Sequence, residues 1–141
     1  MGTKSNGQAE SGRFPNFFPP NCPPPEAVPT AQSVFRLVKT NPPHDEDFRP
    51  NAVTQTTRTF RDRCKACGLS VFTTLEDILT LRKQIGAFKK WQVAKGDADR
   101  EDGVALHTPT SGNSHHSSWL YEGVYVAKKF AVVNAGDENN K

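Results

Sequence analysis

The chain has 141 residues, 35% of them hydrophobic and 23% charged, with a formal net charge of +3. That length holds one domain with tails, and no apolar run reaches the roughly twenty residues that cross a bilayer. Three cysteines are an odd number, which excludes a complete internal disulfide framework. Metal binding or free thiols in a reducing compartment are therefore the expectation. The N-terminal MGTKSNGQAESGRF lacks the charged-then-apolar pattern of a secretory signal. Asn6 also stands where the myristoylation pattern wants Ser or Thr, so a cytoplasmic location is expected.

Taken in order, residues 1–12 are polar and read as disordered. FPNFFPPNCPPPEAVP, from Phe14 to Pro29, is too rich in proline for a helix or a central strand and reads as an extended, partly polyproline II arm. Phe14, Phe17 and Phe18 suit docking on the domain or binding a partner. Val34–Val38 reads as the first core strand, with Arg36 emerging at a cleft or paired. Asn41-Pro42-Pro43 ends it. In His44–Asp47, Asp45 or Asp47 is expected to cap a short helical turn. Arg49–Asp62 reads as a loop or exposed edge strand.

Cys64–Gly96 carries the densest local signals. Leu69–Phe72 fits a short, largely buried strand. Thr73 followed by Glu76 matches a capping box, so a helix is predicted from at or just after Thr73 to near Gly86. Its apolar face runs through Leu75, Ile78, Leu79, Leu81 and Ile85, with Ile78, Leu81 and Ile85 buried. Gly86 is its stop. Phe88–Lys95 reads as a basic tail anchored by Trp91 and Val93, Gly96–Gly103 as a charged loop, and Val104–His107 as a short strand. Thr108–Ser118 reads as a polar loop carrying His115 and His116. Phe130–Val133 is the last strand, and 135–141 a polar tail.

The predicted fold is α+β: a small, mainly antiparallel sheet packed on one principal amphipathic helix. Residues 1–32 form the proline-rich arm, 33–134 the domain and 135–141 a disordered tail. Charge is uneven. Residues 51–95 hold nine basic side chains against three acidic ones, a stretch able to attract a polyanion or to serve as a solvated face.

Cys64-x-x-Cys67-Gly68 has the spacing of half a zinc site, with Gly68 letting the backbone turn around the sulfurs. His115 and His116 are the first candidates to complete it, followed by Cys22 and His107. Free thiols and redox chemistry are the alternatives. Loop histidines can also act as acid, base or ligand. No Walker loop, Gly-x-Ser-x-Gly, Gly-x-Gly-x-x-Gly or His-Glu-x-x-His is present.

VFRLVKTNPP (34–43), CKACGLSVF (64–72) and SHHSSW (114–119) resemble a group of small, uncharacterised bacterial proteins, a likeness that brings no function. A second resemblance is to compact, toxin-like ADP-ribosyltransferases. Arg36 in VFRLV, Thr73-Thr74 in SVFTTLED and Glu122 in WLYEGV follow that family's order: a strand with Arg or His, a strand–helix unit with Ser or Thr, and a late Glu. The chain lacks the family's Ser-Thr-Ser and Glu-x-Glu, and a histidine could stand in for the glutamate. The resemblance implies a nicotinamide dinucleotide (NAD) held by Arg36, Thr73 and Thr74, with Glu122, His115 or His116 acting on the ribose. The alternative is a non-catalytic, zinc-stapled module that binds a protein or nucleic acid through residues 58–95.

Overall fold

The computed structural model describes residues 13–109 and 112–133; the expected disordered stretches, 1–12 and 135–141, lie outside them. Six strands form one sheet: β1 Gln32–Val38, β2 Leu69–Phe72, β3 Gln92–Ala98, β4 Gly103–His107, β5 His115–Leu120 and β6 Phe130–Val132. Their order is β4-β5-β2-β1-β3-β6, and every neighbouring pair is antiparallel. Three helices accompany the sheet: α1 Asn51–Thr54, α2 Arg63–Ala66 and α3 Leu75–Gln84. The α+β expectation holds.

The ladder is uneven. β1 and β3 pair along seven residues, from Gln32↔Ala98 to Val38↔Gln92. β1 and β2 share only Phe35↔Phe72. Two three-stranded halves therefore meet at a narrow seam, and α3 covers it. Buried Ile78 of α3 joins Leu37 of β1, Phe72 of β2 and Val93 of β3 in one cluster, with Phe35, Leu75, Leu79 and Trp91 packed around it. On the other side of the sheet, Val38, Leu69 and Ala94 pack with Phe48, Val126 and Ala127.

The N-cap of the principal helix lies one residue later than the capping box implies. Thr74, not Thr73, is the N-cap, and its Oγ1 accepts from the Asp77 N–H at 3.3 Å. Ile78 is fully buried and Leu81 half-buried. Ile85 falls beyond the last helical residue and is 40% exposed, contrary to expectation.

Two strands replace expected loops. Residues 92–98 form β3 although they include Lys95, Gly96 and Asp97, and residues 115–120 form β5 although they begin His-His-Ser-Ser. In β5 the period is two: His115, Ser117 and Trp119 are buried, and the residues between are half-exposed. Polar groups at the buried positions hid that alternation in the sequence. Gly103 faces the β5 backbone so closely that a Cβ there would lie 2.0 Å from the Trp119 carbonyl oxygen.

The short turn Asp45–Phe48 forms as expected, and Asp47 organises the loop before it. Its carboxylate accepts from the Lys39 N–H at 2.8 Å, the His44 N–H at 3.0 Å and the Thr40 hydroxyl. Burial raises the Asp47 pKa, but these hydrogen bonds outweigh it and hold the carboxyl below its ordinary value.

The arm docks on the domain. Phe14, Phe18 and Cys22 pack against the cluster of Ala52, Cys67 and fully buried Trp119. Val28 makes an isolated bridge to Ala105 of β4. Cys22 is disulfide-bonded to Cys64, which corrects the expectation that these two serve as metal ligands or free thiols, while Cys67 is a free, buried thiol. Gly68 also has a different use: a Cβ there would sit 3.1 Å from the Trp119 ring, whose Nε1 donates to the Cys64 carbonyl at 2.8 Å.

Two measurements check this framework. Thr74→Ala should cost about 1 kcal/mol in denaturant unfolding, the usual loss of an N-cap, while Thr73→Ala should cost clearly less. The Cys22–Cys64 bond closes a loop of sequence separation 42, so replacing both cysteines by serine should lower stability by about 4 kcal/mol.

Candidate functional site

Where β1 and β2 part, Arg36 fills the gap. Its Nη1 donates to the Ser70 carbonyl at 2.9 Å and its Nε to the Asp47 carbonyl at 2.9 Å. Its guanidinium lies over the Phe48 ring, 5.6 Å from the centroid. Burial pushes the Arg36 pKa down to about 10, with nearby Asp47 acting the other way, so the side chain stays charged at neutral pH. Nη2 has no protein partner among the described residues.

Ser70 links this arginine to a histidine. Ser70 is exposed on β2, and its Oγ lies 3.1 Å from Nε2 of His115, which is 4% exposed on neighbouring β5. The other ring nitrogen, Nδ1, lies 2.6 Å from the Thr108 carbonyl oxygen. A carbonyl only accepts, so Nδ1 carries the proton and Nε2 presents its lone pair to the Ser70 hydroxyl. The Thr108 hydroxyl meets Nδ1 at 2.9 Å and the Ser117 hydroxyl at 3.0 Å, extending the network. Burial is the largest influence on His115 and holds its pKa below the ordinary value. A neutral imidazole of fixed tautomer, with a hydroxyl on its free nitrogen, can act as a general base or hydrogen-bond acceptor.

The other expected site residues do not join this constellation. Phe72↔His115 and Leu69↔Ser118 set the β2–β5 register. Thr73 therefore sits at the His115 end of the sheet, and Glu122 beyond the opposite end. Glu122 pairs with Arg13 at 3.1 Å. The expected convergence of Arg36, Thr73 and Glu122 is absent.

The helix start is also closed to an anion. The Thr74 N–H donates to the Ser114 hydroxyl at 3.2 Å, and the Asp77 carboxylate accepts from the Ser114 N–H at 2.9 Å. That bond is the leading cause of an Asp77 pKa below the ordinary value.

His116 faces away from His115, as neighbours on a strand must. Its ring lies 4.9 Å from that of His107, and its Nδ1 meets the Ser114 carbonyl at 2.8 Å. The expected zinc set is not assembled. The Cys64 sulfur is bonded to Cys22, and Cys67 packs beside Trp119, four residues and about 13 Å along β5 from His115. Among the described residues no group of three His, Cys, Asp or Glu side chains is arranged to hold a metal ion.

Sequence reasoning missed Ser70, Thr108 and Ser117. The available signal was the alternation in Leu69-Ser70-Val71-Phe72, which sets Ser70 apart from its buried neighbours Leu69 and Val71. The chain matches no family model, no curated protein and no solved structure.

The histidine gives a pH test. Unfolded, His115 takes up its proton near the ordinary value of about 6.5; folded, it does so only at lower pH. Between the two values the unfolded chain binds more protons. Its contribution to stability is therefore complete above about pH 6.5 and declines as pH falls below it. Unfolding midpoints between about pH 8 and pH 5 should fall on acidification, and His115→Asn should flatten that decline.

Proposed function

We propose that this chain is an ADP-ribosyltransferase-like protein that binds a nicotinamide dinucleotide at Arg36, Ser70 and His115. One observation carries the reading: Ser70 joins the other two, its carbonyl accepting from Arg36 and its hydroxyl meeting His115. These residues lie on β1, β2 and β5, which are neighbours in the sheet. The resemblance calls for a cation on the first strand, a hydroxyl on the strand–helix unit and a late residue that orients the ribose. Ser70 takes the second role in place of Thr73 and Thr74. His115 takes the third in place of Glu122 or His116.

In this reading the Arg36 charge attracts the pyrophosphate through Nη2. The His115 lone pair accepts a hydrogen bond from a ribose hydroxyl. The enclosed space beside Arg36 is about 30 Å³, one water's worth, so in this reading the dinucleotide lies outside it, along the open gap between β1 and β2, which Arg36 reaches from one face of the sheet and Ser70 and His115 from the other. A standing Cys22–Cys64 bond favours an oxidising environment over the expected cytoplasm. Among the described residues no helix is long and apolar enough to cross a membrane.

A second reading, the non-catalytic interaction module, has an observation of its own. A cleft of about 490 Å³ opens between the arm and the turn after β5, and exposed Phe17, Val53 and Tyr125 line it. The basic segment supports the module less well. Arg58 lies over Phe60 and Lys95 over Phe35, and Arg82 bonds the Trp91 carbonyl.

Calorimetry with the oxidised dinucleotide separates the two. Wild-type protein should bind. Ser70→Ala and His115→Asn should each weaken binding by about tenfold, the loss of one good hydrogen bond, with Glu122→Ala unchanged. Absence of binding by folded wild-type protein would leave the module in possession.

A further inference from the structure

The three cysteines form one cluster. Cys22 and Cys64 are bonded, and buried Cys67 lies in the same core group as both. Cys64 is the second residue of α2 and Cys67 its C-cap. Residues three apart on a helical turn share a face, with Cβ atoms about 5–6 Å apart, so a disulfide, which needs about 3.5–4.5 Å between Cβ atoms, forms there when the short turn tightens by about 1–2 Å. Cys64 is thus placed to bond either Cys22 on the arm or Cys67 on its own turn. The arm around Cys22 is also what Cys67 touches: its thiol faces the Phe17 carbonyl at 3.9 Å.

We infer that this cluster is a thiol–disulfide exchange site that latches and releases the proline-rich arm. The Cys67 thiol loses its proton to solvent, and the thiolate attacks the Cys64 sulfur. The Cys64–Cys67 bond forms, the Cys22–Cys64 bond breaks, and Cys22 leaves as a thiolate that takes up a proton. No oxidant or reductant is consumed. Burial raises the Cys67 pKa, with Arg63 opposing it, so the thiol is mostly protonated at neutral pH and exchange is slow there.

Release has a structural consequence. Pro15, Phe17 and Phe18 wall the 490 Å³ cleft, which Cys67 also lines, and Phe14 and Phe18 pack on the Trp119 cluster. With Cys22 free, the arm is held by the Val28–Ala105 bridge at one end and, at the other, by Arg13, whose side chain pairs with Glu122 and whose carbonyl accepts from the Glu122 N–H at 2.8 Å. The cleft then widens, and the Trp119 cluster loses the cover of Phe14 and Phe18. This inference does not depend on dinucleotide binding.

The test maps disulfides in the intact, folded protein. The protein is held at alkaline pH without added reductant, quenched with N-ethylmaleimide at intervals and digested. Alkylated Cys22, together with a linked Cys64–Cys67 peptide pair, should accumulate in wild type and be missing from Cys67→Ser. Cys22→Ser should form the Cys64–Cys67 bond in air. It should also show faster proteolysis within residues 13–28 and altered tryptophan fluorescence. Labelling confined to Cys67 in wild type would overturn the inference, as would two lasting free thiols in Cys22→Ser.

Discussion

The structure depends on one seam. β4, β5 and β2 make one half of the sheet, and β1, β3 and β6 the other. Between them stands the single residue pair Phe35↔Phe72. A ladder that short leaves backbone groups in need of partners, and an unpaired buried group costs about 1–3 kcal/mol. Arg36 supplies a donor to one of them, the Ser70 carbonyl. It ties the same point to the Asp45–Phe48 turn through the Asp47 carbonyl. The apolar cover from Ile78 and its neighbours closes the other side. A cation therefore works where a continuous sheet would use amide hydrogens.

The seam also explains why polar chemistry collects there. Because β1 turns away after Phe35, the middle of β2 is left open, and Ser70 is exposed between buried Leu69 and Val71. β5 still pairs fully with β2, so His115 and Ser117 arrive beside it in register. His115 is covered by Phe72, ring centroids 5.1 Å apart. It keeps one nitrogen for the Thr108 carbonyl and offers the other to Ser70. Its buried polarity is fully matched, as low-dielectric surroundings require. The buried side-chain polar atoms among the described residues all have partners.

How much of this was legible follows from what each segment encodes locally. The strands β1, β2, β4 and β6 and the helix α3 carry apolar periods that sequence reading recovers. The cap of α3 was displaced by one residue because Thr73 and Thr74 are chemically equivalent candidates. Ser114, forty positions away in the chain, selects Thr74 by bonding both its N–H and its hydroxyl. β5 was unreadable because His115 and Ser117 occupy buried positions where apolar residues are the usual sign. The Cys22–Cys64 pairing was beyond reach for another reason. Spacing made Cys64 and Cys67 look like partners, while the arm's docking on Trp119 brings Cys22 to Cys64 instead. Of the expected site, Arg36 and His115 both bond Ser70, one at its carbonyl and one at its hydroxyl, from opposite faces of the sheet. Glu122 lies beyond the other end of β5, because order along the chain says nothing about which end of a strand a residue follows.

The bridge between Val28 and Ala105 bears on how open the sheet edge is to another chain. β4 is an edge strand, and an edge strand presents open donors and acceptors that another chain can extend. Val28 and Ala105 exchange two backbone hydrogen bonds, at 3.1 and 2.9 Å, and so occupy the middle of that edge. The opposite edge, β6, is only three residues long and offers little to pair with. Proline at positions 23, 24, 25 and 29 keeps the arm itself from lengthening into a full seventh strand, since proline cannot donate to a ladder. The arm is thus a stopper rather than an extension: it blunts the sheet where self-association would begin, and its own sequence prevents it from becoming a new template.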